Sequence, residues 1–221
     1  VLSNYTEKIE RPVRAIYLDD ERTFWVGTKG NGILKIYDYE FDKNISDCRA
    51  EVLTTSNSAL SSNAVYCFAK SHRNLLWIGD EEGLTYYSYR EKRIKSIPIR
   101  IGNEDFKYIH DIYETADSEL WLVSVGMGVV KARIAGTPDN PVIVDAQRYI
   151  INDGELGSNY FFTIYAENEA NLLFGNKGYG VFRYNETTNG LEPVSTHKYE
   201  NMTLNNILAI SKDSSNNYLF G

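Results

Sequence analysis

The sequence has few of the residues that build metal centres, disulfide frameworks and nucleophilic active sites. Its 221 residues include three histidines and two cysteines, which are His72, His110, His197, Cys48 and Cys67. The histidines do not have metal-ligand spacing, and two cysteines cannot form a disulfide framework. Cys67 lies in an apolar run, where a buried thiol is expected. The sequence therefore predicts no metal ion, no cofactor and no catalytic residues.

Long apolar runs and clusters of basic residues are also missing. No segment approaches the ~20 apolar residues that a membrane helix requires. The longest basic stretch is Arg90–Arg93, and the net charge of the chain is −7. Nucleic acids and anionic membranes are bound by clustered Lys and Arg, so this composition argues against both partners. With 43% hydrophobic and 24% charged residues, the chain has the composition of a folded globular protein.

A five-fold internal repeat is the main feature that the sequence does contain. Five segments align without gaps: Val13–Gly27, Val65–Gly79, Ile109–Val123, Phe161–Gly175 and Ile207–Gly221. One column of this alignment holds Trp25, Trp77, Trp121, Leu173 and Leu219, and another holds Ile16, Phe68, Ile112, Ile164 and Ile210. Successive repeats are 44 to 52 residues apart, a period that is typical of repeat architectures.

Each repeat predicts four short antiparallel strands. A strand of about six residues is followed by a polar turn, a second strand ending in Trp-aliphatic-Gly, a glycine turn and a third strand. Stretches such as Arg93–Arg100 and Pro141–Ile150 supply the fourth strand. No helical period is present, so the prediction is an all-β fold, a β-propeller of four-stranded antiparallel blades. The blades are predicted at approximately 13–62, 63–106, 107–158 and 159–204, with a partial blade at 205–221, as an incomplete propeller.

Two repeats resemble a known family in detail. The stretches Arg14–Tyr37 and Asn63–Tyr87 are similar to the two-component regulator propeller repeat, with its Trp-Ile-Gly-Thr strand, glycine turn and aliphatic-x-x-Tyr strand. The segments Leu60–Asn63, Leu156–Asn159 and Met202–Asn205 resemble the Leu-Ser-Asn-Asn lead that opens many such blades. The sequence departs from the pattern at Val123, which replaces the glycine, at Leu173 and Leu219, which replace tryptophan, and in the first and third repeats, which have no such lead.

The resemblance implies a periplasmic sensor segment of a hybrid two-component protein of gut bacteria. In that reading the chain is not an enzyme, and the histidine kinase and response regulator belong to other parts of the parent receptor. The expected partners are an oligosaccharide ligand, the rest of the parent propeller and a second receptor subunit, with no membrane contact by this segment. Two alternatives stay open: an interaction or dimerisation scaffold, and a propeller lyase or glycosidase.

Candidate ligand-binding residues are sought where the repeat breaks. The recurrence of Trp25, Trp77 and Trp121 in one column predicts a packing role rather than sugar stacking. The family fold implies that the leads and the glycine turns share one face, around a wet funnel suited to an oligosaccharide. These loops contribute Lys29, Asn31, Asn63, Asp80, Glu81, Lys107, Tyr108, Asn159, Tyr160, Lys177 and Tyr179.

Asp111 is a further candidate because its column otherwise holds small residues. Ala15, Cys67, Thr163 and Ala209 occupy the equivalent positions. A carboxylate there must be solvated or paired, which favours a position in the central channel. Its neighbour His110 is not expected to join it in binding one ion, since adjacent side chains of a strand point to opposite faces. These two residues are also the only acid-base pair that would serve the lyase or glycosidase alternative.

Overall fold

The structure, a computed structural model, describes residues 10–40, 42, 44, 47–151, 159–194 and 205–221. His197 and the first three residues of the leads at 156–159 and 202–205 lie outside this part of the chain. The described segments hold no helix with the length and apolar character that a membrane crossing requires.

Four antiparallel sheets of four strands follow one another along the chain, each with its strands in chain order. The first sheet consists of β1 (Val13–Leu18), β2 (Phe24–Thr28), β3 (Ile33–Ile36) and β4 (Ala50–Leu53). The second consists of β5 (Val65–Lys70), β6 (Leu75–Asp80), β7 (Leu84–Ser88) and β8 (Arg93–Ser96). A small hairpin of β9 (Arg100–Ile101) and β10 (Glu104–Asp105) comes next.

The third and fourth sheets repeat the arrangement. The third consists of β11 (Ile109–Glu114), β12 (Glu119–Ser124), β13 (Gly128–Thr137) and β14 (Asn140–Tyr149). The fourth consists of β15 (Phe161–Asn168), β16 (Asn171–Asn176), β17 (Gly180–Asn185) and β18 (Gly190–Pro193). A last antiparallel pair is formed by β19 (Ile210–Lys212) and β20 (Tyr218–Phe220).

The first strands of successive sheets lie side by side. β1 contacts β5, β5 contacts β11, β11 contacts β15, and β15 contacts β19. These five strands therefore surround a common axis, and the fourth strand of each sheet lies at the outer rim. This is the arrangement of propeller blades, so the predicted all-β propeller with four-stranded blades is confirmed. Below, the five units are called blades 1 to 5.

The tryptophan column packs between blades. Trp25, Trp77 and Trp121 are almost completely buried, which confirms the predicted core role. The ring of Trp25 meets the rings of Phe68 and Tyr87 in the next blade, at centroid distances of 6.2 and 4.8 Å. Burial of such large rings on both sides of each blade supplies much of the hydrophobic stabilisation of the fold. Cys67 is also buried, as predicted.

A glycine two residues after the tryptophan column, which holds Leu173 in blade 4, allows the next blade to approach. A Cβ placed on Gly79 would lie 2.5 Å from Cys67 Sγ and 2.7 Å from the carbonyl oxygen of Ile109. One placed on Gly175 would lie 2.7 Å from the carbonyl oxygen of Ile207. The repeated Trp-aliphatic-Gly pattern therefore combines a large ring for packing with an open backbone position for the neighbouring inner strand.

Each of the first four inner strands is irregular at its second residue. The pairing with the second strand passes directly from Val13 to Ala15, and likewise skips one residue in β5, β11 and β15. A bulge of this kind redirects a side chain that a regular strand would point towards a neighbouring blade. The redirected residues are Arg14, Tyr66, His110 and Phe162.

Candidate functional site

The leads and the glycine turns lie at the same end of the blades, as the family resemblance implies. In each of these blades, the backbone N–H of the residue after the second strand donates to the carbonyl of the residue before the first strand of the same blade. Lys29 donates to Pro12 at 2.9 Å and Lys177 donates to Tyr160 at 2.9 Å. Because the inner strands surround the axis, this end forms one entrance of the central channel, which we call the mouth.

Neighbouring blades are joined at the mouth by backbone hydrogen bonds. The N–H groups of Gly30 and Gly32 both donate to the carbonyl of Asn63, at 2.9 Å each. The carbonyl of Asn159 accepts from Gly126 and Gly128, and the carbonyl of Asn205 accepts from Gly178 and Gly180. Where the lead has a lysine instead, at Lys107, the bond between blades runs from the Tyr108 N–H to the Glu81 carbonyl at 3.0 Å.

The side chains of two predicted ligand residues hold the connections between blades. Asn63 Oδ1 accepts from the N–H of Thr55 at 2.9 Å, and Asn159 Oδ1 accepts from the N–H of Ile151 at 2.7 Å. Both amides thereby fix the chain that enters the next inner strand. The asparagine of the Leu-x-x-Asn lead thus has a structural function in both blades.

Asp80 lies inside the turn rather than on its surface. Its side chain is completely buried, Oδ1 accepts from the N–H groups of Glu82 and Gly83, and Oδ2 accepts from the Ser61 hydroxyl. Burial raises the pKa of Asp80 to about 6, although these hydrogen bonds oppose the rise. The carboxylate therefore stabilises the turn and does not face the mouth.

The other predicted residues remain at the mouth. Lys29 and Lys177 are exposed and have no ion pair within the described segments, whereas Lys107 is paired with Glu82. Tyr108 and Tyr160 are 42% and 37% exposed, which is high for tyrosine and leaves their rings accessible. The remaining three, Asn31, Glu81 and Tyr179, are half-buried in the turns. The Asn31 Oδ1 is buried without a hydrogen-bond partner among the residues that the structure describes.

Just inside the mouth, the bulge residues of blades 2, 3 and 4 bring three rings together. Tyr66 and His110 are stacked, with centroids 4.3 Å apart and an interplanar angle of 14°. The ring of Phe162 meets His110 edge-on at 5.1 Å. All three side chains are half-buried on the innermost strands, so each leaves part of its ring towards the channel. We call Tyr66, His110 and Phe162 the aromatic wall.

Arg14 occupies the equivalent bulge position in blade 1. It is exposed and has no ion pair to a carboxylate of the described chain. Burial lowers the pKa of His110 to about 4, and the Arg14 guanidinium adds to this effect. The imidazole is therefore neutral at physiological pH. The sequence analysis considers His110 only beside Asp111 and does not single out Arg14, Tyr66 or Phe162, although one alignment column, directly after Val13, Val65, Ile109 and Phe161, contains all four.

Asp111 lies on the inner strand β11, next to His110, and connects two blades. Its Oδ2 accepts from the N–H of Ile164 at 2.8 Å and from the hydroxyl of Thr163 at 3.2 Å, while Oδ1 accepts from the N–H of Ile112. Burial raises the pKa of Asp111 to about 6. The predicted need for hydrogen-bond partners is thus met by the neighbouring inner strand.

A groove of about 900 Å³ lies at the outer rim, lined by residues of β4 and β7, by Asn57–Ala59, by Lys92–Pro98 and by Asn140–Ile143. Two of its cations, Arg93 and Lys95, are both paired with Glu91. The mouth brings together unpaired cations and accessible rings, so we regard it as the stronger candidate site. In the described part of the chain, no three His, Cys, Asp or Glu side chains are grouped to hold a metal ion.

Comparison with known proteins identifies relatives by fold. No family model and no curated protein matches the chain. The extracellular domain of the hybrid two-component system BT4673 from B. thetaiotaomicron is 16% identical, with a TM-score of 0.75 over 100% of this chain. The corresponding domain of BT3049 from the same organism is also 16% identical, with a TM-score of 0.51 over 95% of this chain. Virginiamycin B lyase from Staphylococcus aureus is 14% identical, with a TM-score of 0.68 over 96% of this chain.

These similarities establish the propeller fold and confirm the predicted likeness to the sensor regions of hybrid two-component systems. The chain spans 30% of the BT4673 domain, 32% of the BT3049 domain and 64% of the lyase.

Proposed function

We propose that this chain is a segment of the extracytoplasmic sensor region of a two-component receptor and that it binds a glycan-derived saccharide at the mouth. The observation that carries this proposal is the aromatic wall beneath two accessible tyrosines, Tyr108 and Tyr160. The apolar faces of sugar rings pack against flat aromatic side chains, and the hydroxyl groups require directional polar partners around them.

Polar groups of the required kind surround the aromatic wall. Lys29 and Lys177 extend unpaired amino groups from the turns of blades 1 and 4, and the neutral imidazole of His110 can donate or accept a hydrogen bond. Since these groups belong to different blades, a bound saccharide contacts several blades at once. Such a ligand stabilises one relative arrangement of the blades over others, which is the requirement for shifting a signalling equilibrium.

The similarity to virginiamycin B lyase keeps the enzyme alternative under consideration. A glycosidase requires two carboxyl groups about 5–10 Å apart across the scissile bond. At the channel entrance, Asp111 is held by three donors and Asp80 is enclosed in its turn. The arrangement of the described residues therefore supports binding better than hydrolysis.

Calorimetric titration of the chain with a panel of neutral and acidic oligosaccharides tests the proposal. We expect His110→Ala to weaken saccharide binding about ten-fold or more, since the variant removes the central ring of the aromatic wall. His72→Ala is the matched control, because His72 is exposed in the turn between β5 and β6, at the other end of the blade. Absence of binding by any saccharide, or equal binding by wild type and His110→Ala, would overturn the proposal.

An interaction scaffold is a second candidate function, supported by a different observation. Ile16 on β1 and Leu219 on β20 are exposed apolar side chains at the two ends of the series of blades. Sedimentation analysis tests this role, because a scaffold that works through these faces must self-associate or bind another blade.

A further inference from the structure

The mouth concentrates unpaired positive charge in a protein whose net charge is −7. Arg14, Lys29 and Lys177 have no ion pair within the described segments. Many cations elsewhere are paired with carboxylates, as in Lys70–Asp20, Arg73–Glu114, Lys131–Glu119 and Arg148–Glu104. Unpaired cations that converge on one entrance of a channel are available to an anionic ligand.

Among these cations, Arg14 shares the bulge position of the inner strands with the aromatic wall. It occupies the bulge position of β1, and β1 contacts β5, whose bulge position carries Tyr66. Its charge influences both rings of the stacked pair: it adds to the lowering of the pKa of His110 by burial, and it opposes the rise in the pKa of Tyr66 that burial causes. Arg14 thus occupies the position of β1 that is equivalent to Tyr66 on the adjacent inner strand, and it has no ion pair with a carboxylate of the described chain.

The charge around the mouth is not uniform. Lys29 and Lys177 belong to the turns of blades 1 and 4, whereas the turn of blade 2 carries Glu81. The Glu81 carboxylate accepts a weak hydrogen bond from Ser62 at 3.4 Å and adds to the rise in the pKa of Tyr66. A ligand with one acidic group is thus repelled on the blade 2 side and attracted on the blade 1 side, which gives it a fixed orientation over the aromatic wall.

We propose that the saccharide bound at the mouth is acidic, with a carboxylate or sulfate group held by Arg14 while a sugar ring packs on Tyr66 and His110. This inference rests on the proposed function and adds the chemical class of the ligand. A guanidinium suits both groups, because its planar set of N–H donors makes two parallel hydrogen bonds to a carboxylate or to a sulfate.

Matched ligands that differ only in the acidic group test the proposal. The titrations compare cellobiose and β-galactobiose with the same disaccharides carrying a terminal uronic acid, and with their 6-sulfated forms. We expect the wild-type chain to prefer an acidic form over its neutral counterpart by about 10-fold to 100-fold, the effect of a charge-assisted bidentate contact. The preference should decrease as the salt concentration rises.

The variant Arg14→Gln should bind acidic and neutral forms with similar affinity while the neutral form still binds. The matched control is Arg133→Gln, since Arg133 is an exposed arginine on β13, away from the mouth, and this variant should keep the preference. Equal affinity of wild type for acidic and neutral forms would overturn the acidic-ligand inference and leave saccharide binding intact. A preference that survives in Arg14→Gln would also overturn it. Failure of all these ligands and of the wider panel would instead refute the proposed function.

Discussion

Four different polar residues occupy one buried position of the repeat. Thr28, Asp80, Ser124 and Asn176 are each the last residue of the second strand of their blade and are completely buried. Thr28 Oγ1 donates to the Gly32 carbonyl and accepts from the Asn31 N–H, and Asn176 Oδ1 accepts from the Tyr179 N–H. Since a neutral hydroxyl or amide is sufficient in three blades, the position requires hydrogen-bonding capacity and not charge.

Replacing the charge at this position should stabilise the protein at neutral pH. The pKa of Asp80 is raised to about 6, so the folded state binds a proton at pH 4–6 that the unfolded state has released. Stability is therefore lost as the pH rises through this window, and the loss persists above it. We expect Asp80→Asn to be more stable than wild type by about 1–3 kcal/mol at pH 7.5, with a difference that disappears towards pH 4. Denaturant unfolding between pH 4 and 8 measures this.

Asp80→Ala is the control for the lost hydrogen bonds, because it leaves the N–H groups of Glu82 and Gly83 without their acceptor. It should be less stable than Asp80→Asn by about 1–3 kcal/mol at every pH. If Asp80→Asn is less stable than wild type at pH 7.5, the carboxylate contributes more through its hydrogen bonds than it costs through desolvation.

Residues that repeat could be predicted from the sequence, and residues that depend on backbone irregularity could not. The buried tryptophans and Cys67 follow from one column and one apolar run. Tyr66 and Phe162 looked like ordinary strand residues, because the bulge that redirects them leaves no mark in composition or spacing. His110 was noticed only as the neighbour of Asp111.

Packing between blades depends on a glycine near the end of the second strand in blades 1, 2 and 4. Gly27, Gly79 and Gly175 occupy one column, and added Cβ atoms would approach side chains or backbone of the next inner strand.

The strand order within each blade follows directly from the repeat. The hairpin β9–β10 and the ten-residue length of β13 and β14 were not predicted, because they belong to connecting regions that differ from blade to blade.

The variant Gly79→Ala should separate blades 2 and 3. Its Cβ would lie 2.5 Å from Cys67 Sγ and 2.7 Å from the carbonyl oxygen of Ile109, and the backbone oxygen cannot rotate away. We expect a loss of stability of about 2 kcal/mol or more, in the range of overpacked cores. Gly190→Ala is the control, since its nearest contacts are 3.8 Å away. Thermal unfolding that ranks the two variants equally would argue against a tight approach at Gly79.

The two ends of the blade series expose surfaces that are buried between blades elsewhere. Ile16 is 61% exposed, whereas Ile112 at the equivalent position is 5% exposed. At the other end, Leu219 is 53% exposed, although Trp25 and Trp77 in the same column are completely buried. Between internal blades, the neighbouring blade covers the residues at these positions. The two exposed faces therefore carry the same kind of apolar side chains that pack between blades elsewhere.

We expect the chain to self-associate through these faces, since exposed apolar side chains shaped for blade packing attract one another. Ile16→Gln should reduce concentration-dependent association in analytical ultracentrifugation with little change in unfolding free energy. Ile112→Gln is the matched control and should lose about 2–4 kcal/mol, because it places an amide between two blades. Equal destabilisation by both variants would show that Ile16 is covered in solution.

The hydrogen bonds between leads and glycine turns have a direction that bears on how the protein is made. In three of the four junctions, the turn of one blade finds its acceptor in the lead of the blade that follows it in the chain. During translation, at about 5–20 residues per second, the Gly30 and Gly32 amides emerge seconds before the Asn63 carbonyl that binds them. At these three junctions, the turn of the earlier blade therefore finds its acceptor only after the lead of the next blade has been synthesised.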